Sequence, residues 1–368
     1  MGGSSGPEGV ARSPRPPTLA ARMKLPALVL AAFALAGTAL AQLPAVLPAG
    51  NDLTFAGNNG TGVGYAANKG ISQNLYIAPF APLFISAVGF RRTATTSDFA
   101  AQSIDFEITL SSTTADLTTL SATFANNLGA DQAVTFPRTL VSVPAAAANL
   151  SPNDFVVMPG QAPWLFGTAG PNLLVQCKSY GPGTNVNAWR MDRCFERTTS
   201  GEAISWGRSC STATITSSST TPSYLPGSTL TFSLASAAPN QLAFAAFGFD
   251  QTNAGGLPLP ADLGPFGMTG CTLLVSLDAM FQTITDAAGA ASIQLPIPSS
   301  SGLSGLGFGM QWIHGDPNAG NPLGLVSTAG RLFHVGPLIC ANRYAYNLSN
   351  EASATGTLQA GGPVVKVF

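Results

Sequence analysis

The sequence predicts an all-β protein: two consecutive β-sandwich domains, jelly-roll or Ig-like, behind a cleaved signal peptide. Three observations carry that expectation. Only 9% of the 368 residues are charged, against roughly a quarter in an ordinary soluble domain. The chain holds 40 Gly and 28 Pro, a density that works against long helices and coiled coils. Short apolar or alternating runs bounded by Gly, Pro, Asn and Ser recur along it, which is the pattern of a sandwich or barrel rather than of βαβ units. With 45% hydrophobic residues the chain has enough apolar surface to bury a core, which excludes wholesale disorder.

The first element is the leader. Leu25 to Ala41 reads LPALVLAAFALAGTALA, without a charge, behind Arg22 and Lys24 and ending in Ala39-Leu40-Ala41. The run is too short for the roughly 20 apolar residues of a membrane span and closes on small residues that a signal peptidase accepts. Residues 1–41 are therefore expected to be a signal peptide with an extended n-region, starting at Met1 or Met23. No later stretch reaches a spanning length without interruption, so no transmembrane segment is expected in the mature chain, which would be secreted or held at the cell surface. Removing residues 1–41 takes away four of the 16 basic residues and one of the 17 acidic ones, which leaves 12 and 16, a net charge of −4. That balance offers no basic field for nucleic acid.

The mature chain divides at Ser211 to Pro226, STATITSSSTTPSYLP, a Ser/Thr-rich stretch without periodicity that reads as a linker or the entrance to a second domain. One domain is expected over 42–209, another over 210–336, and a C-terminal tail over 337–368 whose last residues, GGPVVKVF, add an edge strand. The clearest strand is Ser103 to Thr113, where Ile104, Phe106, Ile108 and Leu110 share one face and Asp105, Glu107 and Thr109 the other. Further strands are expected near 83–92, 154–158, 172–179, 187–197, 203–208, 228–235, 242–249, 272–276, 291–295, 307–313 and 330–335. Residues 116–127 tolerate a helix by composition, but their threonines favour a strand or an irregular loop.

Five cysteines follow the leader: Cys177, Cys194, Cys210, Cys271 and Cys340. Export places them where disulfides persist, and fifteen arrangements of two bridges are open. The preferred one joins Cys177 to Cys194 and Cys210 to Cys271, leaving Cys340 spare. No C-x-x-C pair or His at ligand spacing supports a metal site.

Three segments, LGPFGMTGCTLLVSLDAMF (263–281), TDAAGAASIQLPIPSSSGLSGLGFGMQW (285–312) and DPNAGNPLGLVSTAGR (316–331), resemble the C-terminal domain of secreted planctomycete-type proteins of unknown function. SATFANNLGADQAVTF (121–136) and NLLVQC (172–177) are similar to the N-terminal domain that often precedes it. The resemblance implies extracellular β-sandwich modules, supports the Cys210–Cys271 bridge, and carries no activity or catalytic residue.

The densest charge lies in WRMDRCFER (189–197), with Arg190, Asp192, Arg193, Glu196 and Arg197. Read as the first arm of a hairpin that turns at Thr199 to Gly201 and returns through Ile204 and Trp206, it offers two readings. In one, a binding face of Trp189, Arg190, Asp192, Arg193, Glu196 and Trp206, the arginine forks bond to a carboxylate, sulfate or sugar hydroxyl and an exposed Trp stacks on the ligand. In the other, which is favoured, the charges form a cross-strand ladder beside a disulfide and the tryptophans lie in the core. Asp105 and Glu107 meet the carboxyl spacing of a glycosidase only loosely, and the plainer reading is a wet sheet face. His314 is expected in an exposed turn and His334 on a half-buried strand position. The loops 249–256 and 316–321 carry Asp and Asn that suit Ca2+, but the same residues build tight turns, so no cofactor is expected.

These readings point to a secreted, non-catalytic protein that works by adhesion or by binding an extracellular glycan or cell-surface component. The alternatives are a polysaccharide hydrolase or lyase using Asp105 and Glu107 or the Arg190 to Glu196 face, and a structural envelope or matrix component.

Overall fold

The computed structural model describes residues 3, 44–57, 69–80, 82–181, 190–219 and 224–368. Of the unit Met1–Gln42 only Gly3 is described, so the expected signal peptide lies outside the described residues. Residues Leu43–Phe368 form a second compact unit. It is all-β, with antiparallel sheets and, among the described residues, no helix beyond three short 3-10 turns.

Two large sheets share one core. Six strands lie in the order Thr357–Ala360, Asn342–Asn347, Gly70–Tyr76, Asn172–Ser179, Gln102–Thr113 and Ala133–Val143. Four more lie in the order Ala45–Leu47, Val365–Val367, Leu83–Arg91 and Phe155–Phe166. Period-two alternation sends Ile104, Phe106, Ile108 and Leu110 inward, as expected, where they meet Val88, Phe90, Met158 and Phe166 of the facing sheet. Asp105 and Glu107 stand on the opposite side of their strand, half-buried.

The second pair of sheets follows the same logic. Thr214–Ser219, Thr229–Ala235 and Ala291–Pro296 make three strands. Ala279–Ile284, Leu242–Gly248, Gly307–Gly315, Leu325–His334 and Glu202–Trp206 make five. Leu230, Phe232 and Leu234 pack against Phe247, Phe308, Trp312 and Phe333, with Phe232 edge-on to both Phe247 and Phe333. The other face of the five-stranded sheet is also covered: Ile204, Trp206, Ala246 and Leu332 pack with Phe55, Phe99 and Leu150.

Several pairings cross the boundaries expected from composition. Glu202–Trp206 pairs with Leu325–His334. The segment read as a linker contains Thr214–Ser219, which pairs along its length with Thr229–Ala235; its side chains alternate between half-buried and exposed, and small hydroxyl residues hide that alternation from a hydropathy reading. Val365–Val367 is an interior strand rather than an edge, flanked by Ala45–Leu47 and Leu83–Arg91. Asn342–Asn347 likewise lies between two partners. Residues 116–127 form turns ending in the 3-10 segment Phe124–Asn127.

The disulfides are Cys194–Cys340 and Cys210–Cys271. The second is the expected bridge; the first replaces the expected Cys177–Cys194 pair, and Cys340 is not spare. Alternation along Asn172–Ser179 turns Cys177 into the core with Leu173 and Val175, away from any cysteine, where it stays a thiol. Cys194 pairs instead with Gly362 across a short ladder, on the path that brings Cys340 beside it.

Candidate functional site

The charged segment does not form a hairpin with Glu202–Trp206. Met191 bridges to Arg92, and Arg193–Cys194 pairs with Gly362–Pro363. Its members scatter. Trp189 lies outside the described residues, Arg190 is exposed, and Glu196 is half-buried. Asp192 is 0% exposed and faces Arg91, also 0%, whose Nη2 stands 2.6 Å from Asp192 Oδ2. Arg91 Nε donates to the same oxygen (2.7 Å), and the N–H groups of Ala56 and Gly57 donate to Oδ2 (2.9 Å) and Oδ1 (3.0 Å). Burial lowers the Arg91 pKa, with Asp192 opposing the shift. Arg193 is buried with its guanidinium 4.9 Å from the Phe195 ring and 4.8 Å from the Tyr344 ring. Trp206 is buried as well, its indole lying on Gly330, where a Cβ would come within 2.7 Å of the ring.

Of the six residues singled out for a ligand face, the five that are described are therefore not brought together around an open space. Asp192 ties residues 51–57 to Leu83–Arg91. The same short segment reaches the five-stranded sheet: Phe55 N–H donates to Gln251 Oε1 (3.1 Å), and its carbonyl lies 2.9 Å from His334 Nε2. His334 Nδ1 stands 3.1 Å from Glu202 Oε1, and Arg197 Nε reaches the other oxygen of that carboxylate at 3.2 Å. His334 is thus buried and paired rather than half-buried. His314 is inside Gly307–Gly315 and 1% exposed, not in an exposed turn. Its Nδ1–H donates to the Gly315 carbonyl (3.0 Å), and Ser211 Oγ lies 2.9 Å from Nε2.

The Asp- and Asn-rich loops use their oxygens on the backbone. Asp250 Oδ1 accepts from the N–H groups of Thr252 and Asn253, and Asp316 Oδ1 accepts from Asn318 N–H, as in Asx turns. Among the described residues no cluster of three His, Cys, Asp or Glu side chains stands ready for a metal.

Asp105 and Glu107 share a face, but each is engaged. Arg138 forks onto Asp105 (Nε to Oδ2 2.9 Å, Nη2 to Oδ2 2.6 Å) and lies over the Tyr180 ring at 4.1 Å. Tyr180 O–H donates to Glu107 Oε2 (3.2 Å), and Lys178 Nζ is 3.8 Å from Glu107 Oε1. Burial, with Glu107 next to it, pushes the Tyr180 phenol up to about 12.

The same outer face carries a groove of about 570 Å3. Its floor is set by register: Glu107 lies opposite Lys178, and Thr109 opposite Gln176, on neighbouring strands. One wall is the 3-10 segment Phe124–Asn127, and the other is the loop at 351–354. The first wall is fixed by side-chain amides. Gln73 Nε2 donates to the Phe124 carbonyl (3.0 Å) and to Gln176 Oε1 (2.9 Å), while Asn127 Nδ2 donates to Gln73 Oε1 (2.8 Å). Phe124 and Leu120 cover Ile71 and Leu75 beside it. Residues 117–128 thus cover part of the sheet and leave the rest as a trough. Sequence reading found Glu107 here but missed Gln73, Gln176, Lys178 and Glu351; the one available signal was the polar alternation of Gln176 and Lys178 within Asn172–Ser179. The groove offers donors and acceptors held in place, one carboxylate–ammonium pair, and apolar patches from Ile71, Phe124 and Leu128.

No protein-family profile matches the chain, and no curated protein and no solved structure matches it either.

Proposed function

We propose that the chain is a secreted, non-catalytic binding protein that holds an extracellular glycan in the groove over Glu107, Thr109, Gln176 and Lys178. The observation that carries this reading is the amide network: Gln176 is held by Gln73, and Gln73 by Asn127, so a polar floor is ordered before any ligand arrives. Preorganised neutral donors and acceptors beside small apolar patches suit sugar hydroxyls and the C–H faces between them. Two disulfides support an oxidising compartment and therefore export. The hydrolase reading through Asp105 and Glu107 loses support, because Arg138 occupies Asp105, and Asp105 does not line the groove.

A glycan array probed with the purified chain tests the proposal. We expect binding to a defined set of oligosaccharides, weakened roughly tenfold or more by Lys178→Ala, with the melting temperature within a few degrees of the parent, and by Gln176→Ala, which also takes away the acceptor of the buried Gln73 amide. Absence of signal above background, or binding indifferent to both substitutions, would sink it and favour a purely structural envelope component. Shortened oligosaccharide products would favour the hydrolase instead.

A further inference from the structure

The strand Ala279–Ile284, AMFQTI, forms one edge of the five-stranded sheet and pairs with Leu242–Gly248 alone among the described residues. Thr285 N–H donates to the Gln241 carbonyl, and antiparallel ladders alternate in steps of two. The backbone groups of Gln282 and Ile284 therefore face the open side. Exposed edges are normally blunted by charge, proline or brevity. Phe155–Phe166 carries Pro159 and Pro163, Ala133–Val143 carries Pro137 and Arg138, and Ala291–Pro296 ends in Pro296. Ala279–Ile284 has neither proline nor charge, and Met280, Phe281 and Ile284 are 53%, 43% and 64% exposed.

Directly beneath it is a second cavity, of about 320 Å3. Phe247, Phe281 and Phe308 line it from one sheet, Leu295 and Ile297 from the other sheet and its continuation, and Phe249 stands at its margin, 52% exposed. The only charged side chain on its lining is Asp278, which immediately precedes the strand; Asp286 follows it two residues later.

We infer that this edge is a docking site for an extended polypeptide strand from a partner, apolar at every second residue and basic at its ends. Such a strand adds main-chain hydrogen bonds at Gln282 and Ile284. Its alternate side chains fall on the face shared by Ala279 and Phe281, and there fill the aromatic cavity. The charges select the occupant. Antiparallel pairing of two copies centred on Gln282 would set Asp278 directly opposite Asp286 of the other copy, placing like charges together. Lys or Arg at the ends of a partner strand meets both carboxylates instead.

Fluorescence anisotropy with a labelled ten-residue peptide, Lys at each end and Thr alternating with Val and Phe between, tests this on the disulfide-bonded protein. Saturable binding is expected. Gln282→Pro removes an N–H that makes no ladder bond, so the fold should survive, and the affinity should fall by roughly tenfold or more. Methylating alternate peptide nitrogens should weaken binding similarly, independent of how the variant folds. Replacing the terminal Lys residues with Glu should weaken it several-fold at low salt. No binding at millimolar peptide, or binding unaffected by backbone methylation, overturns the inference. A concentration-dependent dimer abolished by Gln282→Pro would do so too, by assigning the edge to a second copy.

Discussion

Asp192 and Arg91 are both withdrawn from water, and the cost of separating them is asymmetric. Together they satisfy the Ala56 and Gly57 amides and each other; apart, Asp192 is a buried charge that has lost its partner, and Arg91 keeps only the weaker attraction of Asp52. We expect Asp192→Ala to lower the unfolding free energy by about 3–5 kcal/mol in urea titrations. A loss under about 1 kcal/mol would mean that the pair is not a fastening point. His314 contributes differently. Burial lowers its pKa below the ordinary 6.5, so the unfolded chain takes up the proton first as pH falls. Its share of stability is therefore complete above pH 6.5 and declines as pH drops toward the lower folded-state value. Unfolding titrations at pH 7.5 and 5.5 should show that decline, and His314→Gln should flatten it. Neither residue's role was visible in its surroundings in sequence: Asp192 is met by amides more than 130 residues before it, and His314 by the hydroxyl of Ser211, 103 residues before it. By contrast Ile104, Phe106, Ile108 and Leu110 were readable at once, because their pattern is internal to one strand.

At the scale of elements, the strands that sequence reading placed well are those with an apolar side and a polar side, such as Gln102–Thr113 and Thr229–Ala235. It missed Gly70–Tyr76, which is buried on both faces and so shows no alternation, and it passed over Thr214–Ser219, whose serines and threonines mask theirs. The groove was half legible for the same reason. Glu107 and Thr109 follow from alternation, but the walls at 124–127 and 351–354 come from distant parts of the chain. Element packing also explains the buried Trp206. Its ring occupies the space over Gly330 on the adjacent strand, at register-paired positions. Gly330→Ala would drive a methyl into the indole, with an expected loss of about 1–3 kcal/mol and a blue-to-red change in tryptophan emission as the ring is displaced toward water. Unchanged emission and stability would show that the indole can move aside.

For the molecule as a whole, residues 337–368 are structural. Val364 N–H donates to the Asp192 carbonyl, Val365 and Val367 enter the core, and Cys340 closes a bridge to Cys194. Deleting residues 362–368 is therefore expected to abolish cooperative unfolding, leaving Ala45–Leu47 without its partner and the core open along one side; a truncated chain with a sharp urea transition near that of the parent would contradict this. Composition set residues 337–368 apart as a tail because its first part, 340–353, is polar, and polar segments look alike whether they lead away from a fold or back into it.

The pairing of Ala45–Leu47 with Val365–Val367 has one more implication. These strands are separated by nearly the whole folded unit, and closing so long a loop is entropically costly until other contacts shorten it. During synthesis the earliest strand must wait, unzipped, for the latest to arrive, so a nascent polypeptide halted anywhere before that point presents the bare flank of Leu83–Arg91 to its surroundings. Completion of this sheet is thus timed by the arrival of Val365–Val367, and a holding factor would guard that flank until then.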